Sequence, residues 1–252
     1  MNISKVLSIG IIVTALSSTI LASTSGTHWG YTGHEGPANW ASLSPEYSMC
    51  KEGNSQSPIN ITKNITVQSK GLEKIAVKYT SCASSVVNNG HTVQVNINEG
   101  SKVKVDGIEF ELKQIHFHTP SENHIEGKSF PLEAHLVHAA QDGSLAVLAV
   151  LFEEGRRNLS IKRIWNKLPN KPDAALTCSI NSKVLKGLLP KDKSYYKFNG
   201  SLTTPPCSEG VRWLVFKNTL TVSTEQVKEF LSVIKHENNR PIQAINDRKV
   251  MK

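Results

Sequence analysis

The stretch LKQIHFHTPSENHIEGKSFPLEAHLVH, residues 112–138, holds five of the chain's nine histidines. His116 and His118 are one residue apart. On a strand they point to the same face, with backbones about 6–7 Å apart, so two imidazoles can converge on one ion. A catalytic zinc takes three protein ligands and keeps its fourth tetrahedral position for water or substrate. His135, in the second strand-like run PLEAHLVH, is the natural third ligand. Glu133 shares its face and can accept the hydrogen bond of the ring nitrogen that does not bind metal, which fixes the tautomer. His138 faces away from His135, and His124 and His138 are assigned structural roles. A lone buried histidine is most often a satisfied core residue; the same-face pair joined to a Glu-x-His pattern is what points to metal.

A rival metal class fits part of the pattern. HFHTPSE satisfies H-x-H-x3-E, the first ligand motif of the cupins, with Glu122 as a ligand. PLEAHLVHA lacks the Pro-x-Gly and the Asn of the second cupin motif, which weakens that reading. No HExxH occurs, which excludes a metalloprotease helix.

These side chains must be held by strands, and most of the middle of the chain reads as strand. HTVQVNI (91–97) alternates apolar and polar residues. KVKVDGIEFELKQIHFH (102–118) alternates on both sides of Asp106-Gly107, a dipeptide suited to a two-residue hairpin turn. LEAHLVHAA follows, and then SLAVLAVLFEEG, whose nearly unbroken apolar run predicts a central strand covered on both faces. Helices are few. Ser223 and Gln226 form a capping box ahead of Val227, Phe230, Leu231 and Ile234. Ile161, Ile164, Trp165 and Leu168 have helical spacing before Pro169 stops them. The first sixty residues and the remainder read as loops and short strands.

The chain begins MNISK, continues uncharged through VLSIGIIVTALSSTIL and reaches the small residues ASTSG. Residues 1–22 are therefore expected to be a secretory signal peptide cleaved between positions 22 and 25. No segment has the length and apolarity of a membrane span, so no integral membrane segment is expected after signal removal. With no linker, repeat or low-complexity tract, residues 26–248 are expected to form a single domain. Lys and Arg number 29 against 21 Asp and Glu, a net charge of +8 that falls to +7 with Lys5 removed. The basic residues are dispersed without interleaved aromatics, which argues against a nucleic-acid partner. Four widely spaced cysteines in an exported chain read as disulfides rather than a cysteine zinc site, with three pairings open.

Taken together and in order, HWGYTGHEGPANW, QSPINI, NNGH, QIHFH, SEN, PLEAHLVH, AVLAV, GSLTTPPCSEGVRW and NRPIQ strongly resemble the alpha-class carbonic anhydrases over nearly the whole mature chain. Thr119-Pro120 after HFH sides with the bacterial-type exported members. The resemblance implies a mainly β fold, a large twisted and mostly antiparallel sheet of about ten strands with peripheral helices. It also implies a zinc enzyme, a lyase that reversibly hydrates carbon dioxide to bicarbonate and a proton by a zinc-bound hydroxide. His116, His118 and His135 match the zinc ligands, and Gln114 and Glu133 match the partners of the first and third. Thr203 matches the hydroxyl that orients the nucleophile, and Glu122 matches the carboxylate that accepts the proton of that hydroxyl, a role other than ligation.

Carbon dioxide is apolar, and Val137, Val147, Leu202, Val211 and Trp213 match the family's apolar pocket wall, with Thr204 near departing bicarbonate. His91 in NNGH, which otherwise reads as an exposed turn residue, matches the proton shuttle. Tyr31, Asn89 and Gln94 match the polar residues that order the connecting waters. Cys50 and Cys207 match the disulfide of exported members, which would brace the loop carrying Thr203. Cys82 and Cys178 fall outside the matched motifs and leave a second internal bridge, an intersubunit bridge or free thiols open. The resemblance places the protein in the periplasm or outside the cell, with carbon dioxide and bicarbonate as its small-molecule partners, and leaves a homodimer open. The competing class is a carbonic-anhydrase-like binding module that keeps the fold without the chemistry. Loss of a zinc histidine would be its sign, and all three histidines are present.

Overall fold

The computed structural model describes residues 27–169, 171–172, 174–177 and 180–252. The expected signal peptide and cleavage site, and Cys178, lie outside them.

Among the described residues thirteen strands join one sheet. Ten of them follow one continuous path and three pair alongside it, so the expected ten-strand sheet is present with extra strands added. Most pairings are antiparallel, but Leu145–Glu154 runs parallel to both Glu209–Phe216 and Leu220–Val222, which makes the sheet mixed. At its centre the order is Val93–Ile97, Ile108–His118, Leu132–Ala139, Leu145–Glu154, Glu209–Phe216, Tyr195–Ser201. From Ala146 to Phe152 every residue of the apolar strand is buried, because both faces of the sheet are covered. On one face Phe110, Leu112, Ile115, Phe117, Leu136 and Leu148 pack under the helices with Ile161, Trp165, Phe230 and Ile234. On the other, Val147, Val211, Trp213, Phe198 and Ile59 form a smaller core.

Local sequence explains the elements. Asp106 and Gly107 both take positive φ, 52° and 78°, as a primed turn between Lys102–Val105 and Ile108–His118 requires. Helix Thr224–Ile234 starts on the Ser223–Gln226 capping box. Helix Leu159–Trp165 is capped by the Asn158 side chain, which accepts from Ser160 N and Ile161 N, and it ends before Leu168.

One expectation needs correction. The first sixty residues contain four short helical segments, Gly33–Glu35, Trp40–Leu43, Pro45–Tyr47 and Met49–Glu52, and a further helix, Ser182–Lys186, lies in what reads as loop. Each is five residues or fewer, too short for a 3.6-residue period to register; local caps such as the Ser44 and Asn181 side chains make them. The strand Val250–Met251 pairs with Thr66–Val67 and Lys197.

Candidate metal centre

Strand Ile108–His118 shifts register by one residue between Leu112 and Gln114 against Leu132–Ala139. Before this bulge Phe110 and Leu112 point into the helix-side core; after it Ile115 and Phe117 do. The shift sends Gln114, His116 and His118 to the opposite face, because side chains alternate with period two. His116 there lies directly across from His135, and His118 across from Glu133.

The three imidazoles each offer one ring nitrogen, and those atoms all lie within 4.8 Å of one another. The other nitrogen of each ring has an acceptor. His116 Nδ1 donates to Gln114 Oε1 at 2.8 Å, His118 Nδ1 to the Asn238 carbonyl at 2.7 Å, and His135 Nε2 to Glu133 Oε1 at 3.0 Å. These bonds fix the tautomers and leave the facing nitrogens as lone-pair donors. Glu133 is itself held by the backbone N–H groups of Glu122 and Asn123, both 2.8 Å from Oε2, and by Asn123 Nδ2 at 2.7 Å from Oε1.

The electrostatics favour a cation. Burial, and then the neighbouring imidazoles, hold His116 and His135 well below the usual histidine range; His118 is also lowered by burial, against the pull of the Asn238 carbonyl and Glu133. Neutral imidazoles are the ligating form. Burial raises the carboxyl of Glu122 well above its usual range, opposed by the Arg240 N–H, and raises Glu133 as well. Arg240 is the positive side chain that acts on Glu122, so two fully buried carboxylates are left short of positive charge, and His118 Nε2 has no hydrogen-bond partner. A divalent cation among the three nitrogens answers both deficits, so the residues fit zinc.

Glu122 does not complete the ligand set of the triangle. Its Oε1 accepts from Arg240 N at 2.8 Å, and Oε2 lies 3.5 Å from His118 Nε2 and 3.9 Å from His135 Nδ1. Oε2 makes no close hydrogen bond; the Thr203 hydroxyl is the side chain whose interaction with this carboxylate opposes the effect of burial. Thr203 is buried at the start of a tight loop in which Leu202 N donates to Ser208 O and Cys207 N to Thr204 O. The Cys50–Cys207 disulfide closes that loop against the N-terminal segment, 157 residues away in sequence. Cys82 is a half-buried free thiol.

Val137, Val147 and Trp213 lie side by side on adjacent strands, in the row next to Ala149 and His135. Trp213 also packs edge-on to His135 at 4.9 Å between ring centroids. Val211 joins them, and Leu202 and Val137 are half-buried at the edge of this cluster, with Thr204 half-buried on the same loop as Thr203.

Near the mouth, His91 stacks on Trp29 at 3.8 Å and Trp29 meets Tyr31 edge-on. Burial, then the charge of Glu122, raises the Tyr31 phenol well above its usual range, so it stays protonated. Asn89 Oδ1 accepts from the N–H groups of His91 and Thr92, so this side chain shapes the turn that carries His91. Gln94 lies opposite His116 across the strand pair and donates to Asn96 Oδ1. Sequence reasoning missed Asn238: beyond its carbonyl on His118, its side chain donates to the carbonyls of His91 and Phe117 and accepts from Thr119 N. It also missed Arg240, whose guanidinium donates to Gln56 Oε1, Ser57 O and Cys50 O. NRPIQ marks Arg240 as part of a shared motif, without a role, and Asn238 lies just before it.

The family model for eukaryotic-type carbonic anhydrases matches residues 35–252. A carbonic anhydrase of Pectobacterium carotovorum is 46% identical over 228 residues, covering 90% of this chain and 91% of that protein. One of Neisseria gonorrhoeae is 47% identical over 234 residues, covering 89% and 88%. The solved alpha-carbonic anhydrase of Thermovibrio ammonificans, in complex with the inhibitor sulfanilamide, superposes with a TM-score of 0.86 at 48% identity, covering 90% of this chain and all of that one.

Proposed function

The chain belongs to the eukaryotic-type, or alpha, carbonic anhydrase family, whose activity is carbon dioxide hydration, and on that premise we propose that it is an exported zinc enzyme with His91 as its proton shuttle. The observation that carries the reading is the set of three imidazoles whose outward nitrogens are each pinned by an acceptor while their facing nitrogens converge within 4.8 Å.

His116, His118 and His135 would hold the zinc, and Gln114, Glu133 and the Asn238 carbonyl hold the rings. When bound, zinc supplies a Lewis acid that brings the ionisation of water into the neutral range, the chemistry for which carbonic anhydrases are the standard instance. Thr203 donates a hydrogen bond from its hydroxyl to Glu122, which leaves its oxygen free to accept one and would orient the nucleophile. Val137, Val147, Leu202, Val211 and Trp213 offer carbon dioxide an apolar wall without competing polar groups. Thr204 contacts the departing product. His91 carries the released proton from cavity water to solvent base, since an imidazole titrates near neutral pH. Tyr31 and Gln94 order the intervening water, and Asn89 sets the turn on which His91 sits.

Export is supported by the N-terminal sequence pattern and by the Cys50–Cys207 disulfide, which persists in oxidising compartments. Among the described residues no helix is long and apolar enough to cross a membrane.

Metal analysis combined with stopped-flow carbon dioxide hydration tests the reading. The expected result is one zinc per chain with activity well above buffer, and loss of metal and activity together in His118→Ala. Zinc-loaded protein that hydrates carbon dioxide no faster than buffer would overturn it.

A further inference from the structure

Residues 235–240 form a strap pinned across the metal centre. Asn238 O accepts from His118 at 2.7 Å, Asn238 Nδ2 donates to the His91 carbonyl at 3.0 Å, and Arg240 N donates to Glu122 at 2.8 Å. At the strap's start Lys235 ends the preceding helix in the left-handed conformation, φ 70°. His236 is thereby fixed two residues from the contacts that serve both the zinc triangle and the shuttle turn. Its ring is half-buried, its Nδ1 lies 2.9 Å from the Glu237 carbonyl, and its centroid is 5.8 Å from that of Tyr31. Tyr31 in turn meets Trp29, the indole on which His91 is stacked. Two imidazoles thus contact one aromatic group beside the metal centre, His91 through Trp29 and His236 through Tyr31.

We propose that His236 is a second proton-exchange residue of this site, working in parallel with His91 from the Tyr31 side of the cavity. The inference rests on the function proposed above. With Nδ1 engaged by its own backbone, Nε2 takes a proton from cavity water and gives it to buffer base, returning to neutral after each turnover, so one proton enters and one leaves. The charged neighbours of His236 in the chain are Lys235 and Glu237 on the strap, and its ring packs against Tyr31, on which the charge of Glu122 acts from within.

The test uses the zinc-loaded full chain as wild type, His91→Ala, His236→Gln and the double variant. Stopped-flow hydration at low buffer reads proton removal as kcat and the addition step as kcat/KM. In the His91→Ala background, His236→Gln is expected to lower kcat by about three- to tenfold, a share of a typical acid–base contribution, with kcat/KM unchanged. The residual kcat of His91→Ala should keep an inflection in the histidine range that the double variant lacks, and imidazole buffer should bring both to one rate. A double variant equal to His91→Ala in kcat and pH profile overturns the proposal, as does a matching fall in kcat/KM, which would mean that His236 only shapes the site. Independently of any variant, a His236 ring that shows no protonation by NMR between about pH 5 and 8 in the intact holoenzyme also overturns it. A zinc-loaded wild type without hydration activity refutes the underlying function instead, a result separable from the others.

Discussion

His138 lies on the reverse face of the strand that carries His135. It is fully buried, with Nε2 2.8 Å from the Tyr79 hydroxyl and the two rings stacked at 5.8 Å. Burial pushes its pKa down to about 4. The unfolded chain takes up this proton below about pH 6.5 and the folded chain only near pH 4, so the contribution to stability is full above pH 6.5 and is lost as pH falls across that window. The loss reaches roughly 3 kcal/mol for a shift of this size. His138→Gln keeps an acceptor for Tyr79 and does not titrate there. Urea unfolding at a series of pH values should show a flatter profile for the variant between pH 6.5 and 4; parallel profiles would refute the assignment.

At the scale of elements, the loop 202–208 matters because it carries Thr203 but has few bonds of its own. Its anchors are the Cys50–Cys207 bridge and the Gln56 side chain, which donates to Cys207 O, with Arg240 clamping Gln56, Ser57 and Cys50 from the strap. A bridge that closes so long a stretch of chain restricts the unfolded state strongly, and removing it is expected to cost about 2–5 kcal/mol. Cys50→Ser/Cys207→Ser should therefore unfold at lower urea and lose hydration activity with zinc still bound, since no metal ligand sits on the loop. Loss of zinc at an unchanged midpoint would contradict this account. The bulge near Lys113 is the other decisive element. The broken alternation between Leu112 and Ile115 is visible in the sequence, but a period-two reading of 102–118 passes over it, and without the bulge His116 and His118 would face the helix-side core.

For the molecule as a whole, export is the proposal to test: protein recovered from an oxidising compartment should begin between Ser23 and Ser25, as read by intact-mass analysis and N-terminal sequencing. Material there that retains Met1 would refute the signal assignment.

The sequence by itself determined what depends on residue type at short spacing: the His-x-His and Glu-x-His pairs, the Asp106-Gly107 turn, the Ser223 capping box and the buried strand 145–154. Side-chain identity and period carry that information directly. Only the tertiary structure decided that the His118 imidazole is held by a backbone carbonyl at Asn238, that one bulge aims the histidine pair, and that His236 meets Tyr31. A carbonyl is common to every residue, and contacts made across more than a hundred positions leave no local pattern, so these facts arise only when the chain closes on itself.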